Sequence, residues 1–166
     1  MESSGSQVAY FGKNHTKKKG SEIMFSGEFE HSLDPKGRVI IPSKMREQLG
    51  DVFYITKGIE HNLLVFSREG WNDFYAKLNT LPVTNRNARG FKRLFLSGAV
   101  ECEANAQGRV LIPATLREYA GIEKDVTIIG NGNNMEIWDT DTWKNYMDVL
   151  DPDAIAESLD EVGISI

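Results

Sequence analysis

The chain of 166 residues contains one cysteine, Cys102, so no internal disulfide can form. Its three histidines are scattered and, with a single cysteine, offer no metal-ligand spacing. No metal and no cofactor is expected. No run of 18 apolar residues occurs, so neither a transmembrane helix nor a membrane partner is expected. The N-terminus lacks the apolar stretch of a signal peptide, which points to a cytoplasmic protein. Ser/His/Asp groupings, a phosphate-cradling glycine loop and an activated nucleophile are all missing, and His31 and His61 have no identifiable partners. The expectation is therefore a protein that is not an enzyme.

Hydrophobic residues make up 40% of the chain, enough for a real core in one domain, or in one pseudo-symmetric domain of two halves. The formal charge of −5 argues mildly against nucleic acid, but the charges are segregated. Residues 151–166 hold Asp151, Asp153, Glu157, Asp160 and Glu161 with no Lys or Arg. Residues 83–98 hold Arg86, Arg89, Lys92 and Arg93 with no Asp or Glu. The acidic tail thus accounts for the whole net charge.

Two segments repeat. Residues 29–50 read FEHSLDPKGRVIIPSKMREQLG and residues 100–121 read VECEANAQGRVLIPATLREYAG, an ungapped offset of 71. Nine of 22 positions are identical, where chance gives about one or two. Two copies of one supersecondary unit follow. A duplicated arginine in a duplicated unit suits a surface that reads a repetitive ligand better than a catalytic site.

Each copy reads alike along the chain. Residues Glu28 to Leu33 suit a strand, Asp34-Pro35-Lys36-Gly37 a tight turn, and Arg38 to Ile41 a short strand. Pro42 suits the first turn of a helix that Gly50 ends. Strands over Val52–Thr56 and Leu63–Phe66 follow, then a helix over about Arg68–Leu78. The second copy predicts a turn at Ala104–Gly108, a strand at Val110–Ile112, a helix from Pro113 to Gly121 and strands at Val126–Ile129 and Met135–Trp138. A helix over about Thr140–Leu150 completes it. Trp71, Trp143, Phe66 and Trp138 are read as core anchors. Between the copies, a helix over Asn87–Leu96 sets Phe91, Leu94 and Phe95 against its cations. Residues 1–23 read as a disordered leader or a tag.

Arg38 and Arg109 are the sharpest candidates for function. Each leaves a turn through a glycine and enters an apolar strand. An arginine there can aim its planar fork at a phosphate, or at the O6/N7 edge of guanine. The bland alternative is an ion pair with Asp34 inside the same turn. The two agree if Asp34 braces the arginine. Arg86, Arg89, Lys92 and Arg93 are either phosphate contacts, a solvated helix face or inter-subunit ion pairs. Arg46/Glu47 and Arg117/Glu118 read as exposed helix charges or cross-half ion pairs.

Met24-Phe25-Ser26-Gly27-Glu28 and Leu33-Asp34-Pro35-Lys36-Gly37-Arg38-Val39-Ile40-Ile41-Pro42 resemble the start of the MraZ family of bacterial transcriptional regulators. Gly108-Arg109-Val110-Leu111-Ile112-Pro113 and Phe91-Lys92-Arg93-Leu94-Phe95-Leu96-Ser97-Gly98-Ala99 are similar to the same family. The resemblance spans Met24 to about Leu150. It implies an α+β fold: a tandem AbrB-like, swapped-hairpin, double-split β-barrel built from both repeats, with short peripheral helices. It also implies closed homo-oligomeric rings that bind double-stranded DNA. The sites implied are short direct repeats upstream of the division and cell-wall gene cluster, which includes the protein's own gene. The family's Asp-x-x-x-Arg motif falls on Asp34 and Arg38, and on Asn105 and Arg109, where asparagine replaces the aspartate and supplies no charge.

The organisation expected is a leader over 1–23, one AbrB-like repeat over 28–70, linking helices over 71–98, a second repeat over 99–142, and a C-terminal helix with acidic tail over 143–166. The expected DNA-binding set is Arg38, Arg109, Lys36, Arg86, Arg89 and Arg93, with Asp34 and Asn105 as braces. The function expected is a cytoplasmic, nucleoid-associated, sequence-specific regulator. The competing reading is an oligomeric interaction scaffold or antitoxin-like module, with Ile155, Leu159, Val162 and Ile164 of the tail docking a partner.

Overall fold

The computed structural model describes residues 24–165, and the leader expected over 1–23 lies outside them. The chain is mixed α+β. The first copy runs β1 (Glu28–Ser32), β2 (Arg38–Ile40), α1 (Ser43–Leu49), β3 (Phe53–Lys57), β4 (Leu63–Ser67) and α2 (Arg68–Leu78). A linking helix, α3 (Arg86–Gly98), leads to β5 (Val100–Cys102), β6 (Arg109–Leu111), α4 (Ala114–Tyr119), β7 (Asp125–Gly130), β8 (Met135–Asp139) and α5 (Thr140–Asp148). A further helix, α6 (Pro152–Glu161), occupies the segment that the sequence marks only as acidic.

Local chemistry sets these boundaries. The Ser67 and Asn85 side chains accept hydrogen bonds from Gly70 N (3.0 Å) and Ala88 N (3.0 Å), capping α2 and α3. Asp139 caps α5, and Asp151 caps α6 with Pro152 at its first turn. Pro42 and Pro113 sit one position before α1 and α4, at the cap, with φ of −52° and −56°.

All strand pairing is antiparallel, in a six-stranded sheet of order β1-β7-β8-β4-β3-β5 and a separate ribbon, β2-β6. The first strand of each repeat pairs with a strand of the other: β1 lies on β7, and β5 lies on β3. Registers match about a pseudo-twofold, since His31 faces Val126 as Cys102 faces Phe53. The same axis passes where Val39 faces Val110 in the ribbon and where Leu64 faces Glu136 in the sheet. The sheet ends at β1 and β5, so hydrogen bonding alone does not close the barrel that the resemblance implies.

Strand alternation gives the sheet two faces. The inner face carries Phe53, Ile55, Leu63, Val65, Val126, Ile128, Met135 and Ile137, all fully buried. Val39, Ile41, Val110 and Ile112 of the ribbon segments cover it, with Met45, Leu49 and Leu116 from α1 and α4. The outer face holds aromatic clusters under α2, α3 and α5. Phe66 stacks on Phe74 (centroids 4.9 Å apart), Phe74 meets Phe95 (5.0 Å), and Trp138 packs on Trp143 (5.2 Å) and Tyr146 (5.0 Å). Trp138 and Phe66 are buried and Trp71 and Trp143 half-buried, so all four anchor packing as expected. Two buried hydroxyl groups, Thr127 and Thr140, bond each other at 3.0 Å, tying β7 to α5. Cys102 is buried in β5, and burial pushes its thiol up to about 11, so it stays protonated at neutral pH.

Because Ile41 and Ile112 are dyad mates with no exposed surface, truncating either to Ala is expected to cost a similar amount, about 2–5 kcal/mol. Leu111→Ala, on the solvent side of the same ribbon, is expected to change stability by less than about 0.5 kcal/mol. Urea unfolding followed by circular dichroism checks both.

Candidate nucleic-acid interface

The two turns are built alike. Gly37 N donates to Asp34 O (2.9 Å) and Asp34 N to Arg38 O (2.8 Å); Gly108 N donates to Asn105 O (2.9 Å) and Asn105 N to Arg109 O (2.9 Å). Asp34 Oδ1 accepts from the N–H groups of Lys36 and Arg38, both at 2.9 Å. Asn105 Oδ1 does the same for Gln107 (3.0 Å) and Arg109 (2.9 Å). Gly37 and Gly108 have φ of +82° and +79°, a region that disfavours side chains.

The turns differ in one bond. Arg38 Nε donates to Asp34 Oδ2 at 2.7 Å, a charge-assisted pair within a half-buried turn. The Arg38 backbone N–H holds the Asp34 carboxyl below the usual carboxylate value; burial opposes it, and the Arg38 guanidinium and the Lys36 N–H each lower it further. Asn105 bonds only the turn backbone, and Arg109 has no carboxylate on it among the described residues. The brace expected for both arginines exists for Arg38 alone.

Each turn also rests on the other repeat. Ile41 N donates to Gly108 O (3.1 Å), and Ile112 N to Gly37 O (3.0 Å). A Cβ on Gly37 would lie 2.9 Å from Arg117 Cζ, and one on Gly108 would lie 2.6 Å from Arg46 Cζ. Those guanidinium groups are fixed by Nε bonds to Ile41 O from Arg46 and to Ile112 O from Arg117, both 2.9 Å. Arg46 and Arg117 are thus not free helix charges, and among the described residues neither is ion-paired. They are half-buried supports under the partner turn, because a helix only two turns long cannot carry its arginine away from the ribbon.

The ribbon's alternation sorts its side chains. Val39 and Val110 point inward, while Arg38, Ile40, Arg109 and Leu111 share the outward face. Arg38 stands opposite Leu111, and Arg109 opposite Ile40. Ile40 and Leu111 are 39% and 53% exposed, large aliphatics on solvent beside two cations. They were not among the expected site residues. Period-two alternation from a buried Val39 or Val110 was the signal that marks them.

The structure brings Asp34, Lys36, Arg38, Asn105 and Arg109 to the ribbon and its two turns. It does not bring Arg86, Arg89 and Arg93 there. Helix α3 packs by Phe95 on the outer face of the sheet, where Thr56 Oγ1 donates to the Phe95 carbonyl. The ribbon covers the inner face. Arg86 and Arg93 are exposed on that far side, and Arg89 donates to Val83 O at 2.9 Å. Among the described residues no helix is long and apolar enough to cross a membrane.

A duplicated turn and helix, and one shared ribbon with two arginines on its exposed face, define a tandem-repeat α+β protein with a cationic β-ribbon surface. The chain belongs to the MraZ family: the sequence profile described as "MraZ protein, putative antitoxin-like" matches residues 24–94 and again 95–160. Proteins named "Transcriptional regulator MraZ" are similar to it. Those of Thermoanaerobacter sp. (strain X514) and Thermoanaerobacter pseudethanolicus are 52% and 53% identical over 143 residues, which is 85% of this chain and all of each relative. That of Acetivibrio thermocellus is 50% identical over the same span.

Asn105 shows that an amide suffices for the turn. Asp34→Asn is therefore expected to leave the fold intact and release the Arg38 guanidinium, seen by NMR as loss of a distinct Arg38 Nε–H signal. Since the folded pKa of Asp34 is depressed, wild type should keep that signal above the ordinary carboxylate range and lose it only as pH falls through the lowered value. A signal unchanged in the variant would show that the ion pair does not hold the side chain.

Proposed function

We propose that the chain is a sequence-specific DNA-binding transcriptional regulator that lays the β2–β6 ribbon in the major groove. The observation that carries this reading is the outward ribbon face with its diagonal pair of arginines, Arg38 and Arg109. The major groove, about 12 Å wide, admits a two-stranded ribbon. Lys36 at the turn tip adds a phosphate contact, and Asp34 and Asn105 fix the turn backbones. The names of the similar proteins support the regulatory role. In this reading the protein is cytoplasmic and nucleoid-associated. Sheet and ribbon act together as an AbrB-like swapped-hairpin barrel, and the targets are direct repeats upstream of the division and cell-wall gene cluster, its own gene included.

One ribbon offers few contacts, and the chain is acidic. Several ribbons presented together to spaced repeats convert weak contacts into avidity. A homo-oligomeric ring supplies that arrangement, and α6 supplies an observation in its favour. No residue of this helix is buried, Ile155 is 40% exposed, and its charges are all acidic. Helix α3 bears Arg86, Lys92 and Arg93 with half-exposed Phe91, and none of these cations has a carboxylate partner among the described residues. α3 packs on β3, near one end of the sheet, whereas α6 follows α5, which packs on β7 and β8 towards the other. Complementary patches at opposite ends make a head-to-tail contact between copies, which closes into a ring when the rotation permits.

Fluorescence anisotropy with DNA from upstream of the protein's own gene, against a scrambled duplex at several salt concentrations, tests the DNA reading. The native duplex is expected to bind more tightly. Arg38→Ala and Arg109→Ala should each weaken binding and, where they meet phosphate, lower the salt slope by about 1. Arg38→Ala should cost more, because its partner Asp34 pre-orders the side chain. Equal, weak binding of both duplexes, with neither substitution mattering, would defeat the reading and favour the interaction-module alternative.

Assembly has its own test. By light scattering, Arg86→Glu with Arg93→Glu, or Glu157→Lys with Asp160→Lys, should each break the oligomer, and mixing the two variants should restore a mixed assembly. An oligomer indifferent to both would remove α3 and α6 from the interface.

A further inference from the structure

We infer that Ile40 and Leu111 read thymine. In this proposal, which rests on the DNA-binding reading above, their side chains pack against thymine C5-methyl groups on the floor of the major groove. Both are large aliphatics on the solvent side of a ribbon whose inward positions, Val39 and Val110, already fill the core. Neither belongs to the buried core, and both keep a large share of their surface on solvent. Each stands directly opposite an arginine, Ile40 across from Arg109 and Leu111 across from Arg38. Opposite residues on one face lie about 4.5–5.5 Å apart at Cβ. A groove that admits the arginines therefore receives the aliphatic groups in the same layer.

The occupant follows from that mixture. Flanking cations select a polyanion, and thymine's methyl is the apolar group that the major groove offers among its donors and acceptors. A β-strand places side chains of one face two residues, about 6.6 Å, apart, close to two base steps of about 3.4 Å each. Arg38 and Ile40 on one strand, and Arg109 and Leu111 on the other, then fall two base pairs apart. The pseudo-twofold through Val39 and Val110 exchanges the two pairs, so thymine contacts fall on both DNA strands. Shape differs between them: Ile40 is β-branched and less exposed, Leu111 longer and more exposed.

The experiment starts from duplexes enriched by the full-length wild-type protein from a random-sequence pool. The tightest duplex is remade with each thymine replaced singly by uracil, which removes the methyl and keeps the base pairing. Wild type is expected to lose about fourfold in affinity at one or more positions, the equivalent of one buried carbon. Ile40→Ala should be insensitive at one such position and Leu111→Ala at another, while both variants keep the wild-type oligomer and fold. Arg38→Ala, weaker overall, should still discriminate at a position read by an aliphatic.

Specific binding with every uracil substitution neutral would overturn the proposal and leave the DNA reading standing. Undiminished uracil sensitivity in both alanine variants would do the same. A changed oligomeric state in Ile40→Ala or Leu111→Ala would overturn it by assigning the patch to a contact between copies. If no duplex is enriched at all, the DNA reading itself fails and takes this inference with it.

Discussion

Everything in this molecule depends on the exchange of strands between its two repeats. Glu28–Ser32 has its hydrogen bonds on Asp125–Gly130, and Val100–Cys102 has its bonds on Phe53–Lys57. The ribbon takes one strand from each repeat. Even the turns cross over, since each glycine is closed by an arginine from the other half. Separated from its mate, either repeat would leave backbone donors and acceptors unpaired and an apolar face open to water, both costly. Two copies in one chain meet that need without a second molecule.

The same exchange builds the exposed ribbon face. With Val39 and Val110 drawn into a shared core, the pleat leaves Arg38, Ile40, Arg109 and Leu111 no direction but outward. The turn cap that holds each arginine's backbone is the same whether the residue is aspartate or asparagine, because a single side-chain oxygen accepts both N–H groups. Charge enters only in the first copy, where the second carboxylate oxygen fixes the arginine's Nε. A nearly symmetric frame thus carries an asymmetric pair of side chains, one braced and one free to search.

The sheet separates two kinds of cation. Those of the ribbon stand over the inner face, and those of α3 stand beyond the aromatic cluster on the outer face. A protein with net charge −5 can carry a cationic surface when its excess of acids lies elsewhere, here in residues 151–166. Long-range repulsion is then set by the whole chain, and contact by the few residues at the ribbon.

Much of this was legible in the residues. The ungapped repeat, the Asp-Pro-Lys-Gly turn and the Pro-to-Gly helices are local features, and local hydrogen bonding and steric limits decided them. Helix α2 runs over Arg68–Leu78 as its apolar spacing requires. The duplicated arginine stands out as a candidate because its glycine and its strand are neighbours in sequence. By itself the sequence determined the elements as far as α5, their order and the duplication, but not α6. Tertiary structure alone decided that β1 pairs across to β7, that Arg46 and Arg117 support the opposite turn, that Ile40 and Leu111 face solvent, and that α3 lies on the far side of the sheet from the ribbon. Those facts depend on which strand lies beside which. That choice is made by burying both repeats' apolar faces at once, a condition on residues about 45 to 100 positions apart that no window along one strand contains.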